Sequence, residues 1–218
     1  MPGRFSLTIE LQALKNRFRF SSSVITLNPR YNIAPGQFSS IVMRDDKNSL
    51  KMMKWGLIPS WTKYVSNGNK PMINARAETI TQKPSFKNSF KAKRCLVLAD
   101  GFYEWDKNEK KGSKIPYRFV LRSREPFAFA GLWDVCKNPE GEVLLTFTII
   151  TTEANNLIRP IHERMPVILS DEDEDLWLDQ DIDDLDKLLS LLVPFPGDQM
   201  KAYKVSTVVN SPANDTPS

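Results

Sequence analysis

With 218 residues, 41% of them apolar, the chain is long enough for one sizeable core, and no Gly/Ser- or Pro-rich linker divides it. No apolar run reaches the ~18 residues of a membrane helix, the first ten residues lack a signal peptide's apolar stretch, and nothing repeats at a fixed period, so a soluble, cytoplasmic protein without membrane contact is expected. The net charge of +4 hides an asymmetry: residues 1–125 hold 24 Lys+Arg against 9 Asp+Glu, whereas residues 126–218 hold 6 against 17. A basic block of that size can attract a polyanion, although a solvated surface with ordinary clustering gives the same count.

Leu7, Leu11, Leu14 and Phe18 fall at helical spacing and predict a helix over 6–18. The turn-rich stretch NPRYNIAPGQ at 28–37 predicts an irregular loop. Short apolar or alternating runs at 39–43, 50–57, 94–99, 117–121, 127–133, 143–151, 165–169 and 202–209 read as strands. Residues 171–180 and 182–192 read as helices with acidic first turns, which suit the helix dipole. Many short strands and few helices predict an α+β fold: a single domain over 1–218 with a curved, barrel-like, mostly antiparallel sheet and flanking helices. The polar end, 211–218, is expected to fray. The acidic run DEDEDLWLDQDIDD lacks the central Gly and terminal Glu of a calcium loop. Cys95, Cys136 and the single histidine, His162, show no metal-ligand spacing, so neither metal nor cofactor is expected, and both cysteines read as small core residues.

Four clusters carry reactive groups: Met1-Pro2-Gly3-Arg4-Phe5, INARAET at 73–79, LADGFYEW at 98–105 and IHERMPV at 161–167. Each has a bland reading. Asn74 could satisfy a turn. Arg76 and Glu78 sit two apart and could pair across a strand face as a surface ion pair worth ~0–1 kcal/mol. Glu104, between Tyr103 and Trp105, either points outward or is desolvated, and a desolvated carboxyl suits a general acid. His162 is either structural or an acid/base tuned near neutrality by Glu163 and Arg164.

Together these clusters resemble the SOS-response-associated peptidase family. The resemblance extends to YNIAPGQ (31–37), KWGLIPSW (54–61), RCLVLADGFYEW (94–105), FAFAGLW (127–133), TIITTEAN (148–155), IHERMPVIL (161–169) and VVNSPAND (208–215), in the family's order over nearly the whole chain. It implies a monomeric DNA-repair enzyme acting on single-stranded DNA that contains abasic sites, including single-strand/double-strand junctions. Family members begin Met-Cys-Gly-Arg-Phe. After Met removal, the cysteine amine and thiol close a thiazolidine on the ring-opened sugar aldehyde, giving a covalent protein–DNA crosslink. By this resemblance Asn74, Glu104 and His162 are catalytic with the residue at position 2. Gly3, Arg4, Asn32, Trp61, Arg76, Thr151 and Arg164 would line the DNA groove, the arginines on phosphates and Trp61 on bases.

This chain departs from the family at Pro2, which stands where the nucleophilic cysteine is. A thiazolidine therefore cannot form. A free N-terminal proline can still attack an aldehyde to give an iminium, an electron sink that promotes loss of the 3′ phosphate, a lyase route. Two other readings of the same resemblance are an autopeptidase that trims its own N-terminus, as the family name implies, and a disabled module that only shields the lesion. An unrelated RNA-binding protein is a further alternative, but no recognition motif for RNA is visible.

Overall fold

Alternation of inward apolar residues builds two sheets that face each other across an aromatic core. The computed structural model describes residues 2–23, 26–62, 71–106, 114–137 and 140–217. In chain order the elements are β1 (Arg4–Leu7), α1 (Leu11–Phe18), β2 (Arg30–Ile33), β3 (Phe38–Arg44), β4 (Asn48–Trp55), β5 (Asn74–Arg76), α2 (Pro84–Ala92), β6 (Arg94–Ala99), β7 (Gly101–Trp105) and β8 (Pro116–Leu121). Then follow β9 (Phe127–Lys137), β10 (Val143–Glu153), β11 (Arg164–Pro166), α3 (Asp171–Leu178), α4 (Leu185–Ser190) and β12 (Met200–Lys204).

The first sheet runs β12-β8-β7-β1-β2. The second closes on itself. Strands β4, β3, β6, β9 and β10 are joined antiparallel, and β10 returns to β4 through a short parallel pairing at Thr146–Lys54 and Phe147–Trp55. Closure removes the free edges that an open sheet would expose. Strands β5 and β11 also pair with β10, parallel and antiparallel respectively. The expected barrel-like α+β domain is therefore present, accompanied by a second five-stranded sheet.

Phe5 on β1 meets Trp55 edge-on at 5.1 Å and Phe129 at 5.8 Å, and Phe102 on β7 meets Phe129 at 6.0 Å. These contacts join the sheets, each pair adding ~0.5–1.5 kcal/mol beyond simple burial. Helices pack outside: Leu14 and Phe18 of α1, and Phe86 and Phe90 of α2, bury one face each at i, i+4 spacing. Gly56 ends β4 with φ +124°, and a Cβ there would lie 2.6 Å from Pro71 Cβ, so only glycine turns the chain at this point.

Three local expectations are corrected. The helix expected over 6–18 begins only at Leu11; Ser6 and Leu7 belong instead to β1, which is held between β2 and β7. The loop at 28–37 contains β2. The tail expected to fray is tied down through Asp215 and Asn214, as described below; Ser218 lies outside the described residues. Cys95 and Cys136 are buried core residues as expected, and burial pushes both thiols up. Among the described residues no helix is long and apolar enough to cross a membrane.

Candidate functional site

The start of the chain lies against β5. Pro2 is buried, and its carbonyl accepts a hydrogen bond from Asn74 Nδ2 at 3.2 Å. Asn74 Oδ1 is also buried and has no hydrogen-bond partner among the described residues. Such an acceptor costs about 1–3 kcal/mol until something donates to it. Half of this amide therefore holds the N-terminal residue, and the other half is an acceptor awaiting a donor.

Strand pairing brings Glu104 to the same place. β1 and β7 are antiparallel with Arg4 opposite Tyr103, and Gly3 and Glu104 each lie one residue beyond that pair. Phe102 and Glu104 share a face of β7 by strand alternation, and that face is turned to the core. Glu104 is 4% exposed, so its carboxyl is desolvated rather than turned to solvent. Met1 lies outside the described residues.

On the other side of Asn74, β10 lies between β5 and β11. Ile149 is opposite Asn74, and Thr151 is opposite both Arg76 and Pro166. Arg164 reaches across this ladder. Its guanidinium binds both carboxylate oxygens of Glu78, at 2.6 and 3.0 Å, and donates to Thr151 O at 2.6 Å. Glu78 thus takes Arg164 as its partner instead of its expected neighbour Arg76, because a 3-10 turn at Ala77–Thr79 carries it off the strand. The Arg164 hydrogen bond outweighs partial burial and holds the Glu78 carboxyl below its ordinary range. Arg76 is exposed.

His162 sits in the turn before β11. The Arg164 backbone nitrogen lies 3.0 Å from its Nδ1. Nδ1 also lies 3.2 Å from the Arg164 carbonyl, so the tautomer decides whether it accepts from the Arg164 N–H or donates to the Arg164 oxygen. His162 is half-buried.

Strand pairing and the Asn74–Pro2 hydrogen bond thus connect the segments that carry Glu104, Pro2, Asn74, Thr151, Arg164 and His162. Other expected groove residues stand differently. Asn32 and Thr151 are 0% exposed, so neither has surface for a strand to touch. Thr151 Oγ1 turns to Ala75 O, and Asn32 is spent on Arg4 and on tail carbonyls. Arg4 Nη1 donates to Asn32 Oδ1 at 2.6 Å and to Val209 O at 2.8 Å, and its guanidinium lies over the Trp105 ring at 5.7 Å. Arg4 is therefore bound internally rather than presented to phosphate. Gly3 has open space around it, and Trp61 is 63% exposed. The backbone before Trp61 is fixed by Ser60 N donating to buried Asp134 at 2.8 Å. Reading the sequence missed the roles of Asn210, Asp215 and Trp105, although VVNSPAND was visible as a motif.

Part of the basic block is neutralised within the chain. Arg17 binds Glu174 at 2.8 and 2.9 Å and also pairs with Asp171, and Arg44 binds Asp175 at 2.6 Å. Buried Arg94 donates to the carbonyls of Trp177, Phe90, Lys91 and Asp179. The acidic start of α3 is thus the counter-charge of α1 and β3.

The model of the SOS response associated peptidase (SRAP) family matches residues 1–212. The abasic site processing protein YoqW of Bacillus subtilis (strain 168) is 47% identical over 220 residues, covering 100% of this chain and 97% of that protein. HMCES of Xenopus tropicalis, also an abasic site processing protein, is 35% identical over 224 residues, covering 87% of this chain and 64% of that protein. A crystal structure of a Bacteroides thetaiotaomicron protein aligns with a TM-score of 0.87 at 31% identity, covering 97% of this chain and 96% of that one. A family match over residues 1–212, together with a relative 47% identical over the whole chain, places this chain in the SRAP family.

Proposed function

We propose that this protein processes abasic sites in single-stranded DNA through the amine of Pro2. The observation that carries the reading is the Asn74 Nδ2 to Pro2 O hydrogen bond; buried Glu104, one residue beyond the Arg4–Tyr103 pair, supports it. Once Met1 is removed, the secondary amine attacks C1′ of the ring-opened sugar. Glu104 relays the two protons that the Pro2 ammonium gives up to the C1′ oxygen, which leaves as water, and a cationic iminium remains. The Glu104 carboxylate or an unprotonated His162 nitrogen then takes a C2′ proton, the C–H electron pair moves into the iminium, and the C3′–O bond breaks with loss of the 3′ phosphate. Water finally hydrolyses the conjugated iminium and frees Pro2. On this reading Asn74 Oδ1, which has no partner among the described residues, accepts from the amine or from a sugar hydroxyl. Cys95 and Cys136 offer no substitute thiolate, since both are buried and their thiols are pushed up.

The test is to incubate the protein with single-stranded DNA carrying one abasic site, with and without borohydride, and to resolve products on a denaturing gel. The Pro2 protein should give an adduct only when borohydride is present, along with strand cleavage. Pro2→Cys should give an adduct stable to heat without borohydride. A heat-stable adduct with Pro2 in place would mean that another nucleophile acts. No adduct from a Met-free Pro2→Cys protein would leave a binding shield as the function.

A further inference from the structure

Arg4 follows Pro2 by two residues, and Trp105 follows Glu104 directly. Both are gripped by the same distant segment. Residues 206–215 coil in successive turns: Val208 N donates to Ser206 Oγ, Ser211 N to Val208 O, and Asn214 N to Ser211 O. Within this coil the Asn210 carbonyl accepts from Arg4 Nη2 at 3.2 Å, and the Asn210 side-chain Oδ1 accepts from Trp105 Nε1 at 2.7 Å. One asparagine thus ties the strand bearing the reactive residue to the strand bearing Glu104. It does so past the Arg4–Tyr103 pair, where β1 ends and Gly3 has open space around it.

The coil is anchored at two further points. Fully buried Asn32 directs its Nδ2 to the carbonyls of Val209, Ser211 and Asn214 at 3.1, 2.9 and 2.9 Å, while its Oδ1 accepts from Arg4. Asp215 accepts from the backbone N–H groups of Tyr31 and Asn32 at 2.5 and 2.9 Å and pairs with Arg30. Those two N–H groups lie on β2, which borders the first sheet. Burial opposes the Asp215 charge, but these three donors prevail and hold its carboxyl below the usual range.

We propose that Asn210 and Asp215 are positioning residues, and that the segment they anchor is a strap holding the N-terminal strand and Glu104 in fixed relation for reaction at Pro2. The proposal rests on the abasic-site reading above. Neither residue touches substrate. Asp215 fixes the strap to β2, and Asn210 transmits its position to Arg4 and Trp105. Loss of either leaves β1 paired but lets its first residues drift, and a misplacement of about 1 Å reduces a reaction rate by roughly 10²-fold.

The test compares Asn210→Ala, Asp215→Ala and the conservative Asn210→Asp, which keeps an acceptor for Trp105 Nε1. Two quantities are measured: the borohydride-trapping rate at saturating abasic single-stranded DNA alongside affinity for that DNA, and hydrogen exchange at the amides of Gly3, Arg4 and Phe5 without DNA. Asn210 is exposed and Asp215 lies at the surface edge, so both alanine variants should fold, which circular dichroism verifies. Trapping should slow about 10- to 100-fold in both alanine variants with affinity unchanged, exchange at residues 3–5 should quicken, and Asn210→Asp should behave like the parent. Parental trapping rates in both alanine variants would overturn the strap. Slowed trapping with unchanged exchange would overturn positioning as its cause, and a loss confined to affinity would make the segment a DNA contact instead. If the parent itself traps nothing, the abasic-site reading fails separately. Exchange then decides whether the strap holds β1: quickened exchange supports the hold, and unchanged exchange removes it.

Discussion

The α3 side of the molecule and the β1–β5 side use the same residue types to opposite ends. On the α3 side the main charged groups find partners within the chain: Glu174, 6% exposed, is bound by both terminal nitrogens of Arg17, and Arg94 donates to four carbonyls, although Arg17 Nε has no partner among the described residues. On the β1–β5 side a buried Asn74 oxygen has no partner among the described residues, Arg76 stands in solvent and Trp61 is largely bare. A polar group whose bonds are complete within the fold stabilises it, whereas one with an open valence is a point of attachment for something else. Net charge does not separate the two sides; the location of each group's partner does.

Four substitutions probe this contrast. The largest effect is expected from Glu104→Gln, which removes the proton-transferring group: borohydride-trapped adduct should form about 10²–10⁴-fold more slowly while DNA affinity stays near that of the parent. Adduct formation at the parental rate would remove Glu104 from the chemistry. Arg17→Met should do the reverse. Burial pushes the Glu174 carboxyl up to about 7 even with Arg17 beside it, so without Arg17 it is protonated at neutral pH and short of two donors; unfolding in urea should show a loss of about 1–3 kcal/mol, with the adduct rate per folded molecule unchanged. Third, Trp61→Ala should weaken single-stranded DNA binding by about 1–3 kcal/mol in a fluorescence titration, if the exposed ring stacks on a base, and leave the melting temperature alone. The smallest effect belongs to Glu78→Gln. The folded carboxyl lies below its ordinary value of 4.5, so its ion pair with Arg164 stabilises above that pH and is lost as pH falls through the lowered folded value. Melting curves of parent and variant should therefore differ slightly at pH 6 and merge in acid. A difference that grows in acid would reverse the sign of that shift.

Much of the fold was legible because continuous apolar runs such as 94–99 and 127–133, buried on both faces, are strong and local signals. Where reading failed, a coincidence of spacing was responsible. Leu7 is the last inward residue of β1, yet it falls four before Leu11 and so completes an apparent helical stripe. β2 was hidden because Pro29 and the Pro35-Gly36 pair bracket Tyr31–Ile33 with turn chemistry. α2 was overlooked although Pro84 at its first position and Phe86–Phe90 spacing announced it. Asn74, Glu104 and His162 were legible through their motifs. What Asn32 and Arg4 do was not, since their partners lie 177 to 206 residues away and no local pattern encodes such a contact.

The clamp on Arg4 also has a consequence in time. Val209 O lies 205 residues after the arginine it binds. At about 5–20 residues per second, a ribosome needs roughly 10–40 s to make that interval. Throughout it the first strand is already synthesised while the segment that grips it does not exist. On the proposed reading, the enzyme that removes Met1 therefore meets a loose peptide rather than a buried end, and the reactive amine is uncovered before the fold closes around it.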